Sequence, residues 1–169
     1  MTPISQFEPG PDRAADLRAA LGQFATGVTV ITCQYQGAPI AMTVNSFASV
    51  SLDPALVLWS IARSSKRFDA FFNAPAFSIH VLGVDQKPLC DRFARDGRNF
   101  DGVDMAKAPL TQTPVVMDAL ARFDCVTHQK HDGGDHVILV GRIAHVMQSD
   151  GAPLVFAQGR YGPPSAQSI

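Results

Sequence analysis

Residues 43–51 read Thr43-Val44-Asn45-Ser46-Phe47-Ala48-Ser49-Val50-Ser51 and lie near the end of a 34-residue segment, 19–52, that contains no Asp, Glu, Lys or Arg. Because side chains alternate across a strand, one continuous strand here would place Thr43, Asn45 and Ser49 on the same face. A solvated face usually carries Lys or Glu, and a core face does not carry several polar groups. The stretch therefore indicates either a half-exposed Ser/Thr-rich strand or a surface for a neutral polar ligand.

On both sides of this stretch, the residue pattern predicts a mainly β chain. The segment 28–33 is β-branched almost throughout, which is typical of a strand. Further strands are predicted over 40–50, 55–61, 76–82, 121–128, 136–147 and 153–158. Because the predicted strands and helices do not alternate regularly, the pattern favours a mainly antiparallel barrel with helical insertions over a doubly wound parallel sheet.

Three helices are predicted around these strands. The first is capped by Asp12, carries an apolar stripe at positions i, i+4 and i+7 that ends at Phe24, and stops at Gly27. Two shorter helices fit the segments 65–72 and 85–95.

Composition limits the function classes. One domain is the default for 169 residues. The 14 Lys and Arg against 15 Asp and Glu give a net charge of −1, which argues against a nucleic-acid surface. Apolar residues make up 46% and charged residues 17%, the opposite of the balance in a disordered chain. No apolar run reaches the length of a membrane span and no signal peptide is seen, so we expect a cytoplasmic protein without membrane contact.

The three cysteines, Cys33, Cys90 and Cys125, are an odd number at wide spacing. This spacing argues against a disulfide framework and against a zinc ribbon. We predict that all three are small buried hydrophobic residues.

A second candidate for function is the turn Arg63-Ser64-Ser65-Lys66-Arg67, which opens onto a short apolar helix at Phe68. A helix N-terminus offers unpaired backbone N–H groups and the positive end of the helix dipole, so hydroxyls and cations at this place predict a phosphate-binding turn. An ordinary serine N-cap with two solvated basic side chains explains the same residues.

A third candidate is Gly133-Gly134-Asp135-His136, a turn that leads into a long predicted strand. His136 either contacts a ligand or is a structural histidine. His128, His131 and His136 lie across this turn without helical pairing, so no metal site is expected. The sequence also contains no GxGxxG, GxxxxGK[ST], HExxH or GxSxG motif, which disfavours a nicotinamide enzyme of the usual dinucleotide fold and a P-loop enzyme.

The segments 24–30 and 42–54, followed by 77–82, Gly134-Asp135-His136 and 153–161, resemble the flavin reductase domain family with the FMN-binding split-barrel fold. These proteins are the small reductase components of two-component flavin monooxygenases. The resemblance covers roughly residues 14–161, the core of the single domain expected over 1–169. It implies a mainly β fold, a Greek-key antiparallel split β-barrel with a few short α-helices.

The resemblance also implies a homodimer that binds FMN or FAD, uses NADH or NADPH as reductant, and serves a separate flavin-dependent monooxygenase. His136 would be the catalytic residue, beside the nicotinamide or the flavin edge. Arg160 and Tyr161 would approach the dinucleotide. The remaining cofactor-binding positions would be Thr43, Val44, Asn45 and Ser46 around the isoalloxazine and ribityl chain, and Ser49, Ser64, Ser65 and Lys66 at the phosphate end.

An uncharged site suits flavin chemistry, because the isoalloxazine N5 itself accepts the hydride. The protein has to hold the nicotinamide C4 roughly 3–3.5 Å from N5, and neutral donors near the ring stabilise its reduced form. The residues leave three alternatives open: an oxidase of the pyridoxamine-phosphate type, which should need more basic residues near the site, a corrinoid reductase, and a non-catalytic flavin-binding protein. They also leave open the choices between FMN and FAD and between NADH and NADPH.

Overall fold

Antiparallel strands are the main secondary structure of the protein, whose computed structural model describes residues 4–164. The strands are β1 (Thr26–Gly27), β2 (Thr29–Tyr35), β3 (Ala38–Val44), β4 (Ala48–Leu52), β5 (Ala55–Ala62), β6 (Ala76–Val81), β7 (Met105–Lys107), β8 (Pro114–Val116), β9 (Ala121–Gly133), β10 (His136–Gln148), β11 (Val155–Ala157) and β12 (Arg160–Gly162). The helices are α1 (Ala14–Leu21), α2 (Phe68–Asn73) and α3 (Lys87–Arg95), with 3₁₀ turns at Pro11–Arg13 and Val84–Gln86. None of the helices in this described range is long and apolar enough to cross a bilayer.

Seven strands form one sheet in the order β3-β2-β6-β9-β10-β5-β4. All of their pairings are antiparallel, so the predicted antiparallel β fold is confirmed. In the described part of the chain β3 and β4 are the sheet edges and do not pair with each other, so the predicted barrel is open. The strands β1, β11 and β12 form a second sheet, and β7 pairs with β8. The sequence prediction missed β1, β7, β8 and β12.

One face of the large sheet packs into an aromatic core. Trp59 of β5 is fully buried, and the ring of Phe71 from α2 lies edge-on to it at 5.2 Å. Phe77 of β6 packs against the same indole at 5.9 Å. Burial alternates along β5, so Ser60 and Ala62 face away from this core. The three cysteines are buried and free, as predicted.

The predicted strand over 40–50 is wrong, because the chain leaves the sheet at 45–47, between β3 and β4. Ser46 accounts for the break. Its Oγ donates to the carbonyl of Ser60 at 3.1 Å and accepts from the Ser60 N–H at 3.0 Å, so a side chain occupies the backbone groups of β5. The alternation expected through 43–51 therefore does not hold, and Thr43 and Ser49 do not share one strand face.

The predicted N-terminal helix is too long. The helix α1 ends at Leu21, where Gly22 donates its N–H to the Arg18 carbonyl, and Gly27 lies in β1 instead of stopping the helix. Asp12 does not cap it, since it lies within the preceding 3₁₀ turn and makes no side-chain cap bond. No residue of α1 is buried. The prediction for 85–95 is confirmed by the 3₁₀ turn and α3, which together span these residues.

A charged residue lies at the centre of the sheet, on β9. Asp124 has no exposed surface and accepts hydrogen bonds from Ser78 Oγ at 2.7 Å and His145 Nδ1 at 3.1 Å. Its ion pair is with the buried Arg122, whose Nε lies 3.0 Å away. A buried charge is tolerated only when it is paired and hydrogen-bonded, and Asp124 meets both conditions.

A buried histidine on β6 connects β2 to β8. The Nδ1–H of His80 donates to the Val30 carbonyl at 2.9 Å, and its Nε2 accepts from the Val116 N–H at 3.1 Å. Both ring nitrogens are therefore used by the neutral imidazole. Burial lowers the pKa of His80 to about 4, so the ring stays neutral at physiological pH.

Candidate functional site

The three candidate segments meet at the carboxyl-terminal end of β5. The turn 63–67 follows Ala62 directly, and His136 is the register partner of Ala62 across the β5–β10 pair. The loop 45–47 is attached two residues earlier, at Ser60, through the hydroxyl of its serine. The structure therefore brings the loop, the turn and the histidine to one end of one strand.

The loop 45–47 presents donors that the rest of the chain does not use. Within residues 4–164, the backbone N–H groups of Asn45, Ser46 and Phe47 donate no hydrogen bond. The Asn45 side chain is exposed. Backbone N–H groups are strong donors that need a partner when they are covered. The loop can therefore bind the polar edge of a neutral ligand.

An uncharged cleft of 140 Å³ lies next to this loop, lined by Val28, Thr43, Val44, Asn45, Ala94, Phe156 and Tyr161. The Thr43 hydroxyl is already used, because it donates to the Cys90 carbonyl at 2.7 Å and ties β3 to α3. The lining carries no charge, as the sequence predicts. Its volume is below the roughly 300–1,000 Å³ of most small-molecule sites, so this cleft alone does not enclose a cofactor.

Tyr161 forms one wall of the cleft. Its ring packs on Phe156 at 4.9 Å, and the Lys87 ammonium lies 5.3 Å from the ring centre. Burial raises the pKa of Tyr161 to about 12, with a further contribution from the neighbouring Cys90 thiol, so the hydroxyl stays protonated. Arg160 is exposed and, as the preceding strand residue, points to the opposite face of β12. The structure therefore places Tyr161, but not Arg160, at the cleft.

In the turn 63–67, some side chains form hydrogen bonds within the protein and others are exposed to solvent. Arg63 Nη2 pairs with Asp132 at 2.6 Å and its Nε donates to the Gly134 carbonyl at 3.0 Å, which fixes the turn to the β9–β10 hairpin. Ser65 Oγ accepts from the backbone N–H of the residue two positions on. Ser64 and Lys66 are exposed, and their backbone N–H groups donate no hydrogen bond within 4–164.

The helix predicted over 65–72 begins only at Phe68 and has six residues, so the phosphate-binding hypothesis rests on the turn and not on a helix N-terminus. Arg67 connects this turn to α3. Its Nη1 donates to the Phe93 carbonyl at 2.8 Å, near the end of α3, and this bond joins the turn to that helix. Gly97 makes room for it, since a Cβ there would lie 2.7 Å from Arg67 Nε.

His136 is half-exposed at the start of β10. Its Nδ1 lies 2.7 Å from the Asp135 carboxylate, and this hydrogen bond lowers the pKa of Asp135. Because Nδ1 is used by Asp135, the ring leaves Nε2 available for a ligand.

Ser49 lies away from the turn within this chain. Its register partner is Val57, five residues before the end of β5 at Ala62, which is roughly 17 Å along a strand. The described residues contain no group of three or more His, Cys, Asp or Glu side chains placed to hold a metal ion.

Sequence reasoning missed four residues of the site: Val28, Ser60, Ala94 and Phe156. Ser60 and Ala94 carry no local signal, because their roles depend on contacts with the distant Ser46 and with the cleft. Phe156 lies within a segment that supports the family resemblance, and its register with Tyr161 across β11 and β12 gives it its role.

Comparison with known proteins gives one consistent result. The model of the family described as flavin reductase like domain matches residues 21–165. The FMN reductase (NADH) SmoA of Agrobacterium fabrum is 50% identical over 161 residues, which cover 95% of this chain and 92% of that protein. The reductase component of the flavin-dependent trigonelline monooxygenase of Acinetobacter baylyi is 42% identical, and the match covers 93% of this chain but only 51% of that longer protein.

Among solved structures, the NADH:FAD oxidoreductase SgcE6 of Streptomyces globisporus superimposes with a TM-score of 0.90 at 30% identity. The match covers 100% of this chain and 97% of that one. Such agreement over the chain confirms the predicted split-barrel fold.

Proposed function

The chain belongs to the flavin reductase-like domain family, and from this membership we propose that it is an NADH- or NADPH-dependent flavin reductase. It transfers hydride from the nicotinamide to FMN or FAD and supplies the reduced flavin to a separate flavin-dependent monooxygenase. The relative that is named as a monooxygenase reductase component supports this partner. We place the enzyme in the cytoplasm as one domain, consistent with its three free, buried cysteines.

One observation carries this proposal: unused neutral donors and an unused cation, Lys66, meet at the end of β5. The free N–H groups of 45–47 and the uncharged cleft fit the polar edge and flat body of an isoalloxazine ring. The exposed Ser64 and Lys66 fit the phosphate of FMN or FAD. The residues present therefore match the two chemically different ends of a flavin.

Each group then has a task. Asn45 and the neighbouring N–H groups orient the flavin and favour negative charge on its pyrimidine side. Lys66 and Ser64 hold the phosphate end, and Tyr161 limits access of water through the cleft. His136, held by Asp135, orients the nicotinamide. When bound, the flavin itself supplies the hydride acceptor, so the protein needs no acid–base pair at this site.

The second copy in a homodimer would complete the site, since the cleft of 140 Å³ does not enclose a flavin. Exposed apolar side chains support this assembly. Leu52 at the end of β4 is 95% exposed and Phe24 after α1 is 79% exposed, and larger exposed apolar patches mark protein–protein interaction sites. Leu21 and Val50 extend the same two segments at 66% and 49% exposure.

We expect the protein to sediment as a dimer at micromolar concentration, because association covers these apolar side chains. Leu52→Asp should shift the species towards the monomer and weaken flavin binding at the same time. Leu110→Asp is the matched control, since Leu110 is also exposed, at 67%, but lies on the loop between β7 and β8. An active, flavin-loaded monomer in the ultracentrifuge would contradict the assembly.

We expect Lys66→Ala to weaken FMN by about 5- to 30-fold while changing riboflavin affinity little, because a charge-assisted contact to phosphate is lost at an exposed turn. Fluorescence titration with both flavins measures the two affinities. Lys107→Ala, an equally exposed cation on β7, is the control for net charge. Equal losses for riboflavin and FMN would return Lys66 to a solvated, non-binding role.

The activity itself is tested by steady-state oxidation of NADH and NADPH with FMN, FAD and riboflavin as acceptors. We expect nicotinamide consumption that depends on both the protein and the added flavin. A protein that binds flavin without consuming nicotinamide would instead be a flavin-binding or storage protein.

A further inference from the structure

We propose that a second anion site, formed by Lys66, Arg95 and Arg98, binds the adenosine-bearing phosphate of a dinucleotide. This proposal rests on the proposed function, because it extends the flavin site beyond the turn 63–67. The site is a depression of 300 Å³ between that turn and the end of α3. Its volume is at the lower end of small-molecule sites.

The charge of this depression differs from that of the whole chain. Four cations line it, Lys66, Arg67, Arg95 and Arg98, against the two carboxylates of Asp69 and Asp96. The chain as a whole carries a net charge of −1. A local excess of cations in a concave place attracts an anionic ligand.

Three of these cations are unused. Arg67 donates to the carbonyls at the end of α3 and is therefore structural. Within residues 4–164, the side chains of Lys66, Arg95 and Arg98 form no hydrogen bond and no ion pair of 4.0 Å or less. A cation at the position of Arg95 is favourable for α3 itself, because it lies in the last turn, at the negative end of the helix dipole. The helix dipole does not explain Lys66, which comes from a different segment of the chain.

The position of the depression indicates which phosphate it takes. Lys66 is shared with the turn proposed to hold the first flavin phosphate, and Arg95 and Arg98 line the same depression from the end of α3 and the residues that follow it. FAD and NADH both carry a second phosphate joined to adenosine, whereas FMN does not. Tyr35, which is half-buried, lines the same depression and offers an aromatic surface to an adenine ring.

The test is Arg95→Gln combined with Arg98→Gln, which keeps polar side chains at both exposed positions and removes their charges. We expect the FAD-to-FMN affinity ratio to fall by about 5- to 20-fold if the phosphate belongs to FAD. If it belongs to NADH, the KM for NADH should instead rise relative to that for reduced nicotinamide mononucleotide. In either case the preference should shrink in the unmodified protein as salt is raised, because screening weakens exposed charge pairs.

Lys107→Gln controls for the loss of a cation elsewhere, and thermal unfolding checks that the variants are folded. Unchanged ratios for both FAD and NADH in the folded double variant would overturn the second anion site. Failure of the unmodified protein to bind FMN and FAD at all would instead contradict the proposed function, so the two outcomes are distinguishable.

Discussion

Asp124→Ala should lower the free energy of unfolding by about 3–5 kcal/mol, the usual cost of removing one partner of a buried ion pair. Asp124 has no exposed surface, and its carboxylate is the acceptor for Ser78, Arg122 and His145. Without it, the Arg122 guanidinium stays 7% exposed with no opposite charge at hand. Urea unfolding, followed by the fluorescence of Trp59, measures the difference.

Asp132→Ala is the matched control for this experiment. Asp132 lies on the same strand and also pairs with an arginine, Arg63, but it is fully exposed at the hairpin. We expect its loss to change stability little, because exposed ion pairs are screened by water. If both variants unfolded at the same urea concentration, the buried network around Asp124 would not stabilise the sheet.

His136→Ala should slow flavin reduction by about 10- to 100-fold, or raise the KM for the nicotinamide by a similar factor, because one orienting contact is lost. The geometry supports a positioning role: Asp135 holds Nδ1 at 2.7 Å, which orients the ring and leaves Nε2 available for a ligand. Stopped-flow reduction of the flavin-loaded variant isolates hydride transfer from flavin exchange.

His131→Ala provides the comparison, since His131 is an exposed histidine on the same hairpin whose Nε2 contacts only Gln129. We expect it to reduce flavin at the unmodified rate. An unchanged reduction rate and an unchanged nicotinamide affinity in His136→Ala would remove His136 from the site and leave it a structural residue.

The strands that could be predicted are those specified by local sequence. The segment 28–33 forms most of β2 because β-branched side chains suit a half-buried pleated surface. The break at 45–47 could not be predicted, since it depends on Ser46 binding Ser60, fourteen positions away in the chain. The short strands β7 and β8 were missed because three-residue pairings carry little local pattern.

In the site, too, some features could be predicted from local sequence and others depend on distant contacts. The uncharged character around Asn45 and the approach of the turn, the loop and His136 agree with expectations drawn from the sequence. The use of each side chain does not follow from sequence, because the Thr43 hydroxyl is taken by the Cys90 carbonyl. Likewise, Arg67 was grouped with the phosphate-binding cations and instead holds the end of α3.

The central claim, that this protein reduces flavin with a nicotinamide, is tested most directly under anaerobic conditions. FMN or FAD is mixed with NADH or NADPH, and the loss of flavin absorbance is followed with and without the protein. The account predicts protein-dependent bleaching that consumes one nicotinamide per flavin. Bleaching no faster than in the protein-free mixture, for every pairing of flavin and nicotinamide, would contradict it.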